Sequence, residues 1–223
     1  MGMDPYFERN PSTGRATPAG SEGSISETGT TVVGVRTDDA IVLAADRRAS
    51  LGGRFVTNKR VDKIEQVHPA AAVALSGAVG HIQSFTRILN AESQLYRDRR
   101  DEDVTVNGLA TLASNLLRTK PLQVAPILGG VDDDGPQLYS LDGAGGRLAD
   151  RYLAGGSGMQ LAYGILERQY EDALSIELGH QLAGRAVASA GERDTASGDG
   201  LTIATISGEG VEFDEFDDPE AVA

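Results

Sequence analysis

ETGTTVVGVRTDDAIVLAAD, residues 27–46, is the stretch on which the reading of this chain turns. Two apolar runs, TVVGVR at 31–36 and AIVLAA at 40–45, flank Thr37-Asp38-Asp39. Apolar, β-favouring runs joined by a short polar turn read as a hairpin. Upstream the composition changes abruptly. Residues 1–29 are polar and rich in Gly, Ser, Thr and Pro, without the apolar core of a secretory signal. Such a segment is expected to be disordered unless it docks, with packed sequence starting at Thr30.

Downstream, short strand pieces are expected around Phe55-Val56 and over 63–67, and a buried strand over 70–76 ending at Gly77. Residues 81–96 carry Ile82, Phe85, Ile88, Leu89 and Leu95 at helical spacing, and 107–118 repeat the pattern. Strands return at 124–130, 137–141 and 150–154, helices at 159–174 and 175–190, and a last strand pair at 201–206 and 211–213. Paired helices between blocks of strands do not fit a βαβ alternation. The expected fold is α+β: two antiparallel sheets face to face, with a helix pair outside each. The end of the chain, EFDEFDDPEAVA, reads as a solvated acidic tail.

Composition narrows the chemistry. The 223 residues include no cysteine, which excludes disulfides, thiolate metal sites and a cysteine nucleophile. Only His68, His81 and His180 could serve a histidine-dependent site. Asp and Glu total 33 against 20 Lys and Arg, a net charge of −13. That balance disfavours nucleic acid and anionic membranes as partners. Lysine occurs only at 59, 63 and 120. An acidic, lysine-poor surface suits work at high salt, where like-charge repulsion is screened; an ordinary acidic cytosolic protein is the alternative. There is no apolar run of 18 residues to cross a membrane. A G-x-S-x-G elbow, a P-loop, G-x-G-x-x-G and H-E-x-x-H are all missing. Asp132-Asp133-Asp134-Gly135 is a turn, since it lacks the alternating ligands of a calcium loop. No cofactor or metal is expected.

One chemistry remains open without histidine or cysteine. If the chain is cut after Gly29, Thr30 gains a free α-amine beside its own hydroxyl. A free amine has a pKa of about 7.7–8.0, so it can accept a proton near neutrality, and one residue then supplies both nucleophile and base. By itself a Gly-Thr-Thr run only marks a strand start. Other positions stand out: Asp46 at the end of the second apolar run, Lys63 before an apolar residue, Ser76-Gly77-Ala78-Val79-Gly80, Gly155-Gly156-Ser157-Gly158, and Arg193-Asp194-Thr195-Ala196-Ser197-Gly198-Asp199-Gly200. Singly, each has a plainer reading. Asp46 beside Arg47 fits a surface ion pair, Lys63 a strand-edge lysine, Ser157 and Ser197 caps, Asp194 a turn carboxylate, and Gly77 strand–helix geometry.

Taken in order, these residues resemble the β-type subunit of the 20S proteasome, the archaeal one most closely, over essentially all of 30–213. The resemblance implies an N-terminal-nucleophile hydrolase fold, the four-layer αββα sandwich. It implies that residues 1–29 are a propeptide removed by autocatalytic cleavage of Gly29–Thr30, leaving 30–223 as the hydrolase domain. It further implies Thr30 as nucleophile, Lys63 as the cation beside its hydroxyl, and Asp46 as the partner that holds Lys63. Ser157, Asp194 and Ser197 become the hydrogen-bonding shell of the Thr30 amine, and the Gly77 N–H the oxyanion donor. The loop 51–55 is about one residue longer than the family's pattern, so Lys59 is the nearby competitor of Lys63.

Ala49, Val61, Leu75 and Val79 are implied as the first specificity pocket. All four are apolar, so cleavage after large hydrophobic residues is expected. The same resemblance implies a cytoplasmic threonine protease in heptameric β rings stacked between α rings, a twenty-eight-subunit particle. Its chamber would receive unfolded polypeptides from an AAA ATPase. Another N-terminal-nucleophile hydrolase, a non-catalytic subunit of the same fold, and an acidic binding module are the other readings.

Overall fold

The structure is a computed structural model and describes residues 27–222; the expectations for residues 1–26 lie outside it. In chain order the first strands are β1 Glu27–Thr28, β2 Thr31–Arg36, β3 Ile41–Asp46, β4 Ala49–Leu51, β5 Phe55–Asn58, β6 Ile64–His68 and β7 Ala71–Ala78. Helices α1 Val79–Arg100 and α2 Val106–Thr119 follow, then β8 Val124–Asp132, β9 Gly135–Leu141, β10 Arg147–Ala149 and β11 Tyr152–Gly156. Helices α3 Met159–Gln169 and α4 Ile176–Gly191 precede β12 Leu201–Ser207 and β13 Gly210–Phe216.

Both sheets are antiparallel. One runs β11-β2-β3-β12-β13; the other runs β10-β9-β8-β7-β1-β4-β5, with β6 also on β7. Three apolar clusters glue four layers together. Val32, Leu43, Ala72 and Ile127 lie between the sheets. Phe85, Leu109 and Leu117 of α1 and α2 pack on Val73 and Leu128 of one sheet. Leu166, Leu182 and Val187 of α3 and α4 pack on Val33 and Val42 of the other. Strands buried on both faces explain why the β2 and β3 sequences run apolar without alternation. Thr105 caps α2 by accepting from the Gly108 N–H, and Ser175 caps α4 by accepting from the Leu178 N–H.

Three segments differ from the sequence expectation. Glu27–Thr28, expected in the disordered leader, form β1 in the gap between β7 and β4. Residues 49–51 form a strand because β1 and β5 supply its partners. The acidic segment begins as β13, bonded along its length to β12. Its Glu215 and Asp217 take ion pairs from the buried Arg47. Arg47 therefore points away from Asp46 and does not form the surface pair with it that adjacency suggested.

Candidate active site

The end of β3 delivers Asp46 to the centre of the molecule, 1% exposed. Its Oδ1 accepts from the Thr31 N–H at 2.8 Å and from Lys63 Nζ at 2.7 Å. Its Oδ2 accepts from the N–H groups of Arg48 at 3.1 Å and Gly198 at 2.9 Å. Four donors use the lone pairs of the two oxygens. Burial pushes Asp46 above 3.8, and the Lys63 charge and these donors pull it back. Burial likewise lowers the Lys63 ammonium below 10.5, against the pull of Asp46. With three backbone N–H groups aimed at the carboxylate, the ionic form of the pair is the one that satisfies every donor.

Lys63 is 3% exposed and its Nζ also donates to the carbonyl oxygen of Gly29 at 3.3 Å. Lys59, the alternative, is 73% exposed at its side chain and lies near Asp199 instead. Lys63 thus stands against the peptide bond that joins Gly29 to Thr30.

Thr30 is fully buried. Its N–H donates to Ser157 Oγ at 3.1 Å. Ser157 Oγ donates in turn to Asp194 Oδ2 at 2.6 Å, and Ser197 Oγ donates to the same oxygen at 2.7 Å. With its proton committed there, Ser197 accepts from Thr31 Oγ1 at 2.7 Å. A continuous relay therefore runs from the Thr30 nitrogen through Ser157, Asp194 and Ser197 to Thr31. Gly156 and Gly158 let this turn press against Thr30 and Thr31: a Cβ on Gly156 would lie 2.0 Å from the backbone Thr30 O, and one on Gly158 2.0 Å from the side-chain Thr31 Oγ1.

Gly77 sits opposite Thr28 in the β1–β7 pairing, at φ +137°. A Cβ there would meet Gln123 O at 2.2 Å, so both conformation and space demand glycine. Gly29, Gly77, Ser157, Asp194 and Ala196 border one open cleft of about 550 Å³. A second cavity of about 350 Å³ adjoins Lys63 and is bordered by Val61, Val79 and Ile82. Ala49 and Leu75, expected in a pocket with Val61 and Val79, are buried at 4% and 0% and do not line it. Nor is its wall wholly apolar: Arg60, Asp62 and Glu65 contribute to it.

The family model described as proteasome subunit matches residues 26–206. The chain belongs to the proteasome subunit family. It is 54% identical over 217 residues to "Proteasome subunit beta" of Halorhabdus utahensis, covering 96% of this chain and 92% of that one. It is 52% identical to "Proteasome subunit beta 2" of Haloterrigena turkmenica, over 89% and 84% of the two chains. It is 50% identical to "Proteasome subunit beta" of Halobacterium salinarum, over 92% and 85%. The acidic, lysine-poor composition accords with relatives from halophiles. Among the described residues, no helix of this proteasome subunit is long and apolar enough to cross a membrane.

Sequence reasoning missed part of the site. Arg48 Nε donates to Asp199 Oδ2 at 2.7 Å and its Nη1 to Thr195 O at 3.1 Å. This ties the loop carrying Asp194 and Ser197 to the end of β3. The doubled Arg47-Arg48 after Asp46 was the available signal. Thr31 entered the reading only as a strand residue, yet both its N–H and its hydroxyl serve the site.

Proposed function

We propose that this subunit is a threonine endopeptidase, made active by cleavage of its own Gly29–Thr30 bond. The observation that carries this is the buried Lys63 ammonium, neutralised by Asp46 and lodged against the Gly29 carbonyl. A non-catalytic subunit has no use for a desolvated ion pair at that point, because burying one costs several kcal/mol per ion before the pairing compensates.

In self-cleavage the Thr30 Oγ attacks the Gly29 carbonyl carbon, the C–N bond breaks, and an ester links Gly29 to Thr30. Water hydrolyses the ester and leaves Thr30 with a free amine. In peptide hydrolysis the same Oγ attacks a substrate carbonyl and its proton passes to that amine, directly or through one water. Lys63 favours the alkoxide-like state. Ser157, Asp194 and Ser197 orient the amine, and the Gly77 N–H receives the developing oxyanion. The leaving amine takes the proton, and water releases the acyl group.

The leader's position supports a mode of substrate binding. β1 is held on both sides, with Thr28 opposite Gly77 on β7 and Leu51 on β4. Once it leaves, an extended peptide can take its place by strand addition. A substrate must enter with its P1 side chain, the one just before the scissile bond, turned toward the cavity beside Lys63. Gly29 itself is bent the other way, its Cβ direction leading into Ala196. The Val61, Val79 and Ile82 wall favours large hydrophobic residues there. Family membership implies assembly with other proteasome subunits in a core particle. Seven-membered β rings between α rings, an energy-dependent unfoldase and a cytoplasmic setting complete the proposal.

The test is a purified, assembled particle. Mass spectrometry is expected to find Thr30 as the first residue, and Thr30→Ala to abolish peptidase activity while the particle still forms. Full activity in Thr30→Ala, or an intact leader in an active particle, overturns the reading.

A further inference from the structure

We propose that Glu65 makes the cavity beside Lys63 selective for a P1 side chain that ends in a neutral hydrogen-bond donor, tyrosine above phenylalanine. This rests on the peptidase reading above and refines its pocket. Lys63 and Glu65 are two residues apart along one strand direction, which the Leu75 N–H to Lys63 O bond carries into β6. They therefore share a face, roughly 6–7 Å apart. Val79 and Gln83 are one turn apart on α1 and share a face there. Lys63 and Val79 stand nearest the scissile carbonyl and β1, so Glu65 and Gln83 form the remote end of the cavity. Val61, Val79 and Ile82 wall the space between with apolar surface.

The charges around the cavity do not cancel locally. Lys63 is neutralised by Asp46, and Arg60 pairs with Asp217 at 3.5 Å. Asp62 is exposed, and Glu65 is half-buried with no ion pair or side-chain hydrogen bond among the described residues. A half-buried carboxylate at the end of a shaft that Val61, Val79 and Ile82 line in part is an acceptor waiting for a donor. A phenol suits it: the ring covers the apolar wall and the hydroxyl reaches the carboxylate. A lysine or arginine side chain suits it less. Its charge loses water along the apolar wall and meets the Lys63 ammonium, and at high ionic strength its attraction to a partly open carboxylate is screened. Phenylalanine fills the shaft but leaves the carboxylate without its hydrogen bond.

The experiment compares kcat/KM in high salt for peptides identical except for Tyr, Phe or Arg at P1, using the processed, assembled particle. Tyr is expected to exceed Phe by about ten-fold, the value of one modest charge-assisted hydrogen bond. Glu65→Leu is expected to bring the Tyr/Phe ratio to about one, and Glu65→Gln, which keeps a carbonyl acceptor, to leave it in between. Particle size by gel filtration checks that each variant assembles. Equal rates for Tyr and Phe in the unsubstituted particle, a ratio that survives Glu65→Leu, or a preference for Arg overturns the proposal alone. Failure to cleave any of the three peptides overturns the peptidase reading and this proposal with it.

Discussion

Lys63 Nζ lies 2.7 Å from Asp46 Oδ1 with both side chains almost wholly out of water. Asp46→Asn removes the charge that holds the lysine proton and turns an amide toward groups that only donate. Breaking one partner of a buried pair costs about 3–5 kcal/mol. Urea unfolding of the variant is expected to show a loss of that order, and peptidase activity at neutral pH to fall at least about 100-fold, roughly the equivalent in kcal/mol of two decades of rate. A variant with wild-type stability and rate would remove the pair from the mechanism.

In the proposed mechanism the pair also sets the alkaline limb of activity. Burial holds the Lys63 ammonium below 10.5, so activity that needs it charged fades at a lower pH than a free lysine would dictate. Asp46 raises that pKa, so Asp46→Asn moves the limb further toward neutrality. Stability runs the other way. Between the folded pKa of Lys63 and 10.5 the unfolded chain keeps a proton the folded chain has lost, so this group's contribution grows as pH rises. For Asp46, raised above 3.8 by burial, the contribution declines as pH rises through the window up to its folded value. Parallel pH profiles of kcat/KM and of unfolding free energy check the opposed slopes.

The proposed self-cleavage requires glycine at 29. A Cβ there would lie 1.8 Å from Ala196 Cβ and 3.0 Å from Ser50 Oγ. Gly29→Val is expected to leave the leader attached, read by mass spectrometry. Gly29→Ala is expected to slow processing, with partial recovery in the double variant Gly29→Ala/Ala196→Gly. Normal processing of Gly29→Val would show that the leader does not pass through this turn.

The Arg48–Asp199 pair braces the loop that carries Asp194 and Ser197. Both partners are largely but not fully buried, at 24% and 18% side-chain exposure. Arg48→Met is expected to lower kcat about ten-fold with little change in KM, since the amine is misoriented while the groove stays open. Asp199→Asn in the same background should add little, because coupled partners are not additive. Additive losses would mean that the two side chains act separately.

A net charge of −13 repels itself over about 10 Å at 0.1 M salt and only about 3 Å at 1 M. Thermal unfolding midpoints are expected to climb steeply with potassium or sodium chloride over that range. Replacing exposed acidic residues of β13, such as Glu212 and Asp214, by lysine should flatten the dependence. A midpoint indifferent to salt in the unsubstituted protein would contradict it.

The hairpin, the helices and the final strand pair were legible because apolar periodicity is a local property. The buried trio Thr30, Asp46 and Lys63 was legible only through the order of several weak signals. What stayed hidden was supplied from far along the chain. Residues 27–28 carry no strand signal of their own, and their partners come from β4 and β7. The EFDEF segment looked like solvated acid because its charge masks Val211 and Phe216, which pack inward once β12 lies alongside. The polar wall of the second cavity was hidden for a similar reason. Four apolar positions were expected to form it, whereas strand direction and the first turns of α1 bring Glu65 and Gln83 into its wall.

One sheet of this fold is complete only while β1 is in it, because β4 and β7 are each paired to β1 and not to each other. If the leader is cleaved as proposed, the two flanking strands are left as banks without a bridge. Whatever spans them must arrive as a bare ribbon, its amides not already committed to a fold of its own. Under the proposed peptidase reading, the lifetime of a client is then governed less by its sequence than by how often it surrenders a few residues of backbone.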